Sequence, residues 1–319
     1  MPLVDSSYNP PLLFKNGHLS TIYSGLLRKV ENLDQIRIRI TLPDSDFLDT
    51  DWSYAQSSSK KLVIIIHGLE GSSKRAYIRG SAKLLTQSGF DVCALNLRGC
   101  SGTVNKLFRS YHSGATEDLQ SVIDHVQQLN EYTSIFLHGF SLGGNLLLKY
   151  LGEKRTVSDH IKGAVAISVP CQLADSLDQL LQFKNVLYAK RFRGNLIEKL
   201  KLKKQLFPNL ISDADIERIK TLKDFDDIYT SRAHGFIDAS DYYAKSSSLQ
   251  YLESIKIPTL LINALNDSFL GAECYPIEIA KQHKHLYLET PKYGGHVGFH
   301  GTNNFTYTER RTVEFLSKY

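Results

Sequence analysis

The chain is short of cysteine and of any pattern that would give cysteine a structural role. Cys93, Cys100, Cys171 and Cys274 are spread through 319 residues with no C-x-x-C pair and no zinc-like spacing. That distribution argues against a disulfide framework or a structural metal and predicts reduced thiols in a cytosolic compartment. No apolar stretch approaches the roughly 20 residues needed to span a bilayer. The opening Met1-Pro2-Leu3-Val4-Asp5-Ser6 has no basic region followed by an apolar core, so the expected setting is soluble and cytoplasmic. Net charge is modest. A formal net charge of +5 falls well short of a nucleic-acid binder's basic footprint, while weakly favouring anionic surfaces. No repeat or low-complexity tract is present beyond the serines at 57–59.

What is there suits one large α/β domain with an insertion: 42% of residues are hydrophobic and 22% charged. Residues 36–41 alternate with period two, as a half-exposed edge strand should. The unbroken apolar run at 62–66 predicts a central strand buried on both faces. A helix is expected over 74–88, a strand over 91–97, and a helix after Thr116 with Leu119, Val122, Ile123, Val126 and Leu129 on one face. Further strands are expected at 135–137, 163–169, 259–265 and 285–289, with a closing helix near 307–317. Residues 171–235 are charged and helical in pattern, without an evident strand.

One stretch carries chemistry on its face. Residues 135–145 read Ile-Phe-Leu-His-Gly-Phe-Ser-Leu-Gly-Gly-Asn, a strand running through Gly-x-Ser-x-Gly into a helix. In such an elbow the serine is strained, and Gly139 and Gly143 stand where a Cβ would collide with its neighbours. Ser141 is therefore a candidate nucleophile, and a serine needs a histidine base oriented by a carboxylate. Asp267, just past the strand at 259–265, and His296, within Gly294-Gly295-His296-Val297-Gly298, follow in the required order on the same sheet edge. Asp238 and Asp241 are rival acids. An oxyanion hole is expected from the amide of Leu142 and from that of Leu69, in the loop His67-Gly68-Leu69-Glu70-Gly71. His67, His18 and His112 are read as structural histidines.

These residues resemble the YheT-like branch of the α/β-hydrolase superfamily over nearly the whole chain. The likeness rests on Asn16-Gly17-His18-Leu19-Ser20-Thr21-Ile22, His67-Gly68-Leu69-Glu70-Gly71-Ser72-Ser73, Asn96-Leu97-Arg98-Gly99-Cys100-Ser101-Gly102 and Tyr111-His112-Ser113-Gly114. The stretches at 139–145, 234–243 and 294–299 complete it. The resemblance implies an α/β-hydrolase fold: a mostly parallel sheet flanked by helices, with a core of residues 1–170 and 236–319, a packed arm at 1–35 and a helical cap at 171–235. It also implies a carboxylic ester hydrolase with Ser141, Asp267 and His296 at the matching catalytic positions and no cofactor. One departure is Asn266-Asp267-Ser268, where the family usually has two acids and an apolar or proline position. That puts the hydrogen bonding around Asp267 in doubt. Members include medium-chain esterases, phospholipid-cleaving relatives and alcohol acyltransferases, so the resemblance leaves the substrate open.

The expected partner is a small acyl ester, short- to medium-chain or lipid-like, with no nucleic acid and no obligate protein partner. Leu177, Leu180, Leu181, Phe183, Leu187, Tyr188 and Phe192 are candidates to roof an acyl pocket. The same stretch carries Lys184, Lys190, Arg191, Arg193, Lys199, Lys201, Lys203 and Lys204 against Glu198 alone. Such a run reads as a solvated face, or as weak contact with an anionic membrane surface or with acidic acyl carriers. An alcohol acyltransferase and a non-catalytic small-molecule binding protein are the alternatives.

Overall fold

The computed structural model describes residues 3–153 and 156–319. Among them lies one nine-stranded sheet in the order β1-β9-β8-β7-β6-β4-β5-β3-β2. Its strands are β1 (Leu3–Val4), β2 (Ile36–Thr41), β3 (Phe47–Ser53), β4 (Lys61–Ile66), β5 (Asp91–Asn96), β6 (Ser134–Phe140), β7 (Ile161–Ile167), β8 (Thr259–Ile262) and β9 (Leu286–Glu289). From β1 through β5 in that order neighbours pair parallel, whereas β3 pairs antiparallel with β5 and with β2.

The apolar run of β4 explains why the sheet is covered on both sides. Leu62, Ile64 and Ile66 join one apolar cluster together with residues of the helices Thr116–Gln128 and Leu142–Gly152. Val63 and Ile65 point the other way, into a cluster shared with the helices Ala76–Gln87 and Tyr307–Leu316. Alternate side chains on a strand leave opposite faces, so a strand with helices on both sides must be apolar at every position.

Two strands were not expected from the sequence. β1 has two residues, too few for any pattern. β3 reads Phe-Leu-Asp-Thr-Asp-Trp-Ser, yet every residue in it is buried. Its acids are legible only across the sheet. Arg37 stands opposite Asp51 and Arg39 opposite Asp49, and each arginine grips its carboxylate through two nitrogens at 2.8–3.0 Å. The period-two arginines of the edge strand β2 thus neutralise the acids of its neighbour.

Between β7 and β8 the chain is helical, including Leu173–Leu181, Val186–Leu206, Asp213–Arg218, Leu222–Phe225, Ser231–His234 and Ala239–Ser246. These helices pack around a separate apolar cluster that includes Leu177, Leu196, Leu200, Ile216, Phe225 and Tyr243. A π-helical turn, Asp226–Thr230, interrupts them. The Asp226 carboxylate accepts hydrogen bonds from Thr230 Oγ1 at 2.6 Å and Tyr243 Oη at 2.7 Å. Burial nevertheless pushes its pKa up from 3.8 to about 6, with Asp227 adding to the rise and Lys223 opposing it.

A buried ion pair helps tie the N-terminal arm to the C-terminal helix. Arg28 reaches Glu309 through Nη1–Oε1 at 2.6 Å and Nη2–Oε2 at 2.9 Å, and both side chains are almost fully enclosed. Removing one partner leaves an uncompensated interior charge, so Glu309→Ala is expected to lower unfolding free energy by about 3–5 kcal/mol in urea titration. Asp226 yields a pH dependence of the opposite sense to an ordinary paired carboxylate. Its raised pKa means the folded state holds the proton more tightly, so its contribution to stability falls as pH rises from 3.8 through about 6. Asp226→Asn should therefore gain on the wild type in urea midpoint across that window and keep the gain above it. A difference independent of pH would contradict this.

Candidate active site

Ser141 sits between the end of β6 and the start of the helix Leu142–Gly152 at φ +51° and ψ −121°. The turn is sharp enough that a Cβ on Gly139 would come within 2.5 Å of the Gly143 carbonyl oxygen. One on Gly143 would come within 2.5 Å of the His67 carbonyl oxygen. The Ser141 amide is meanwhile held by the Ile167 carbonyl at 2.8 Å. The hydroxyl is left pointing out of the sheet edge toward His296.

His296 Nε2 lies 2.9 Å from Ser141 Oγ, and its Nδ1 lies 2.8 Å from Asp267 Oδ2. The other Asp267 oxygen accepts the Phe269 amide at 2.9 Å. Phe269 also packs against the imidazole at 4.3 Å between ring centres. The three residues singled out from the sequence are thus brought into one line. Neither rival acid joins them. Asp238 caps the helix Ala239–Ser246 by accepting the Asp241 amide, and Asp241 pairs with Lys245 at the surface.

The N-terminal arm secures the histidine loop. Thr21 Oγ1 accepts the His296 amide at 2.8 Å, and Ser24 Oγ donates to the Val297 carbonyl at 2.7 Å. Asn266 accepts the Gly295 amide at 2.9 Å and donates to the Lys15 carbonyl at 3.0 Å. Ser268 Oγ donates to Asn185 Oδ1 at 2.8 Å. Asn266 and Ser268, the positions that depart from the family pattern, therefore connect the acid-bearing turn to the arm, the histidine loop and the helical segment.

The loop after β4 lies directly over Ser141. A Cβ on Gly68 would approach Ser141 Cβ to 3.0 Å. Residues 68–71 form a tight turn closed by the Gly71 amide and the Gly68 carbonyl at 3.0 Å. Among the hydrogen bonds of the described residues, neither the Leu69 nor the Leu142 amide donates to a protein acceptor. His67 is turned away from the hydroxyl: its Nδ1 meets the Gly68 carbonyl at 2.7 Å and its Nε2 accepts the Leu97 amide at 3.1 Å. Burial pulls its pKa down to about 3. His112 is likewise drawn down to about 3 by burial and accepts the Gly114 amide. His18 stacks on Tyr188.

Ser141 and His296 open into a cavity of about 600 Å³. The arm contributes Ile22 and Leu26, and the helical segment contributes Leu177, Leu180, Leu187, Tyr188 and Phe192. Two expectations about the roof need correction: Phe183 does not line the cavity and is 93% exposed, and Leu181 also faces solvent. The basic run is not one solvated face either. Lys199 reaches inward to Glu70 at 3.0 Å, and buried Lys203 donates to the Asn105 and Leu107 carbonyls. Asp226, Glu70 and Tyr111 are lining residues the sequence did not single out.

The four cysteines are free and buried. Among the described residues no cluster of His, Cys, Asp and Glu is placed to hold a metal ion, and no helix is long and apolar enough to cross a membrane.

The profile of the alpha/beta hydrolase fold family matches residues 61–301. YheT of Escherichia coli (strain K12), provisionally named an esterase, is 33% identical over 315 residues, 96% of this chain and 92% of that one. Phospholipase ABHD3 of Bos taurus is 32% identical over 259 residues, 80% of this chain and 62% of that one. Among solved structures, the Pyrococcus furiosus esterase Pf2001 matches with a TM-score of 0.60 over 98% of this chain and 99% of that one. At 20% identity this is a likeness of fold alone. The profile spans most of the chain and the bacterial relative nearly all of it, so the chain belongs to the α/β-hydrolase fold family, in its YheT-like branch.

Proposed function

We propose that this α/β hydrolase cleaves carboxylic esters by attack of Ser141, with His296 as general base, Asp267 orienting it, and residues 171–235 serving as a cap over the acyl pocket. The observation that carries the reading is the unbroken line from Ser141 Oγ through His296 to Asp267, at 2.9 and 2.8 Å, opening into an apolar cavity. Relatives named as an esterase and a phospholipase support ester cleavage.

The chemistry follows from where protons can go. Asp267 accepts a hydrogen bond from Nδ1–H and so keeps the proton on Nδ1, which leaves Nε2 free to accept from Ser141 Oγ. As Oγ bonds to the ester carbon, its proton moves to Nε2 and the carbonyl electrons move onto oxygen. The amides of Leu69 and Leu142 are assigned to hold that oxyanion, and such a donor is commonly worth a factor of about 10²–10³ in rate. Collapse breaks the bond to the alcohol, which leaves with the Nε2 proton. Water then gives a proton to Nε2, attacks the acyl-enzyme, and releases the acid as Oγ is reprotonated.

The cavity, at about 600 Å³, lies within the range of roughly 300–1,000 Å³ usual for small-molecule sites. That size favours a short- to medium-chain or lipid-like acyl group. Hydrolysis of p-nitrophenyl esters from acetate to palmitate should show an optimum in that range. Ser141→Ala, folded by circular dichroism, should lose turnover by roughly 10⁴-fold or more. Equal rates in both proteins, or none in either, would contradict the reading, and ester formation exceeding acid release with added alcohol would reassign the enzyme to acyl transfer.

The cavity mouth favours contact with an anionic lipid surface. Leu26 and Leu187 line the cavity while standing 54% and 77% exposed, and Phe183 is exposed four residues before Leu187. Lys184 and Arg191 line the same mouth, with exposed Lys190 next to them. Exposed apolar side chains in one segment with exposed basic ones suit insertion among anionic headgroups. The protein should co-sediment with vesicles containing phosphatidylglycerol, less so in high salt, and little with pure phosphatidylcholine. A Phe183→Glu, Lys190→Glu double variant should bind about tenfold or more weakly while hydrolysing a soluble short ester at the wild-type rate. Vesicle binding unaffected by the substitutions would rule this surface out.

A further inference from the structure

We propose that Glu70 and Lys199 form a latch through which the helix Val186–Leu206 sets the position of the Leu69 amide, making both of them positioning residues for the oxyanion. The proposal rests on the reading of Ser141 as nucleophile.

Leu69 and Glu70 are the two central residues of the turn at 68–71. Glu70 is held at φ +52°, a corner that suits glycine and strains a residue with a side chain. Each of its polar groups is gripped. The Glu70 amide donates to Tyr111 Oη at 2.9 Å, and that hydroxyl donates back to Glu70 Oε1 at 2.7 Å. Arg75 Nη2 donates to the Glu70 carbonyl at 2.8 Å. Lys199 Nζ, from the helical segment, donates to Oε1 at 3.0 Å and lies 3.2 Å from Cys100 Sγ.

Only 3% of the Glu70 side chain is exposed, so its carboxylate depends on a partner. The Cys100 thiol, pushed up to about 11 by burial, is uncharged at neutral pH, which leaves Lys199 as the cation on Oε1. Without that ammonium a buried charge is left uncompensated. Glu70 is then free to relax toward negative φ, and the turn it shares with Leu69 shifts. Lys199 also stands one turn beyond Asn195 and Leu196 and two turns beyond Phe192, all of which line the cavity. The wall that receives the acyl group and the loop that receives the oxyanion are therefore joined by one ion pair.

An amide that meets only the oxyanion acts in the transition state and not in substrate binding. Lys199→Met is thus expected to lower kcat on p-nitrophenyl butyrate by about 10- to 100-fold with KM within about twofold. Lys199→Arg should restore most of the loss. Affinity for phenylboronic acid, which forms a tetrahedral adduct on serine, should fall by the same factor as kcat. Wild-type kcat and boronate affinity in Lys199→Met would overturn the latch, as would a rise confined to KM. Should that variant not fold, Glu70→Gln, which removes the charge that Lys199 meets, is expected to show the same selective loss in kcat and boronate affinity, and wild-type values would overturn the latch. A wild-type protein lacking Ser141-dependent turnover would instead defeat the underlying reading.

Discussion

Ser141 is held at φ +51° and ψ −121°, a sparsely populated conformation that costs about 1–3 kcal/mol, and the packing around it keeps it there. Its amide is bound by the neighbouring strand β7, while the peptide groups of residues 66–67 and 143 pack so closely that only glycine fits at Gly139 and Gly143. The rest of the site takes its position from this turn. The β4 loop crosses above it, the histidine loop meets it from the side, and the helix that follows begins at Leu142. Strain at one residue is tolerated because strands buried on both faces over-determine its surroundings.

The other half of the arrangement comes from segments distant in sequence. The arm binds the histidine loop through Thr21 and Ser24, and its far end is anchored by Arg28 to Glu309. The helical segment meets the acid-bearing turn through Asn185 and Ser268 and meets the β4 loop through Lys199 and Glu70. The histidine loop, the acid-bearing turn and the β4 loop are thus each supported from outside their own segments. Placement to within a few tenths of an ångström matters for an ester hydrolase, because misplacement of reacting atoms by about 1 Å can cost roughly 100-fold in rate.

Much of this was legible beforehand. The central strand β4 declares itself through five consecutive apolar residues, and Ser141, Asp267 and His296 through their order and their place at strand ends. Their convergence within hydrogen-bonding distance is what the geometry adds. β3 was not legible, because the arginines that neutralise its acids lie on another strand and only register reveals the match. Lys199 and Lys203 read as part of a solvated run, since nothing local distinguishes a lysine that will meet a buried carboxylate or carbonyl from one that faces water. Phe183 failed as a pocket residue for the reverse reason: it falls in the turn between two helices, where apolar character does not imply burial.

The central claim is that Ser141 is a nucleophile activated by His296. It is tested most directly by reaction with a fluorophosphonate, followed by intact mass and peptide mapping. One adduct per chain, on Ser141, is expected in the wild type, with none in Ser141→Ala and a strongly slowed reaction in a folded His296→Ala. Label elsewhere in the chain, or retained in Ser141→Ala, would contradict the account.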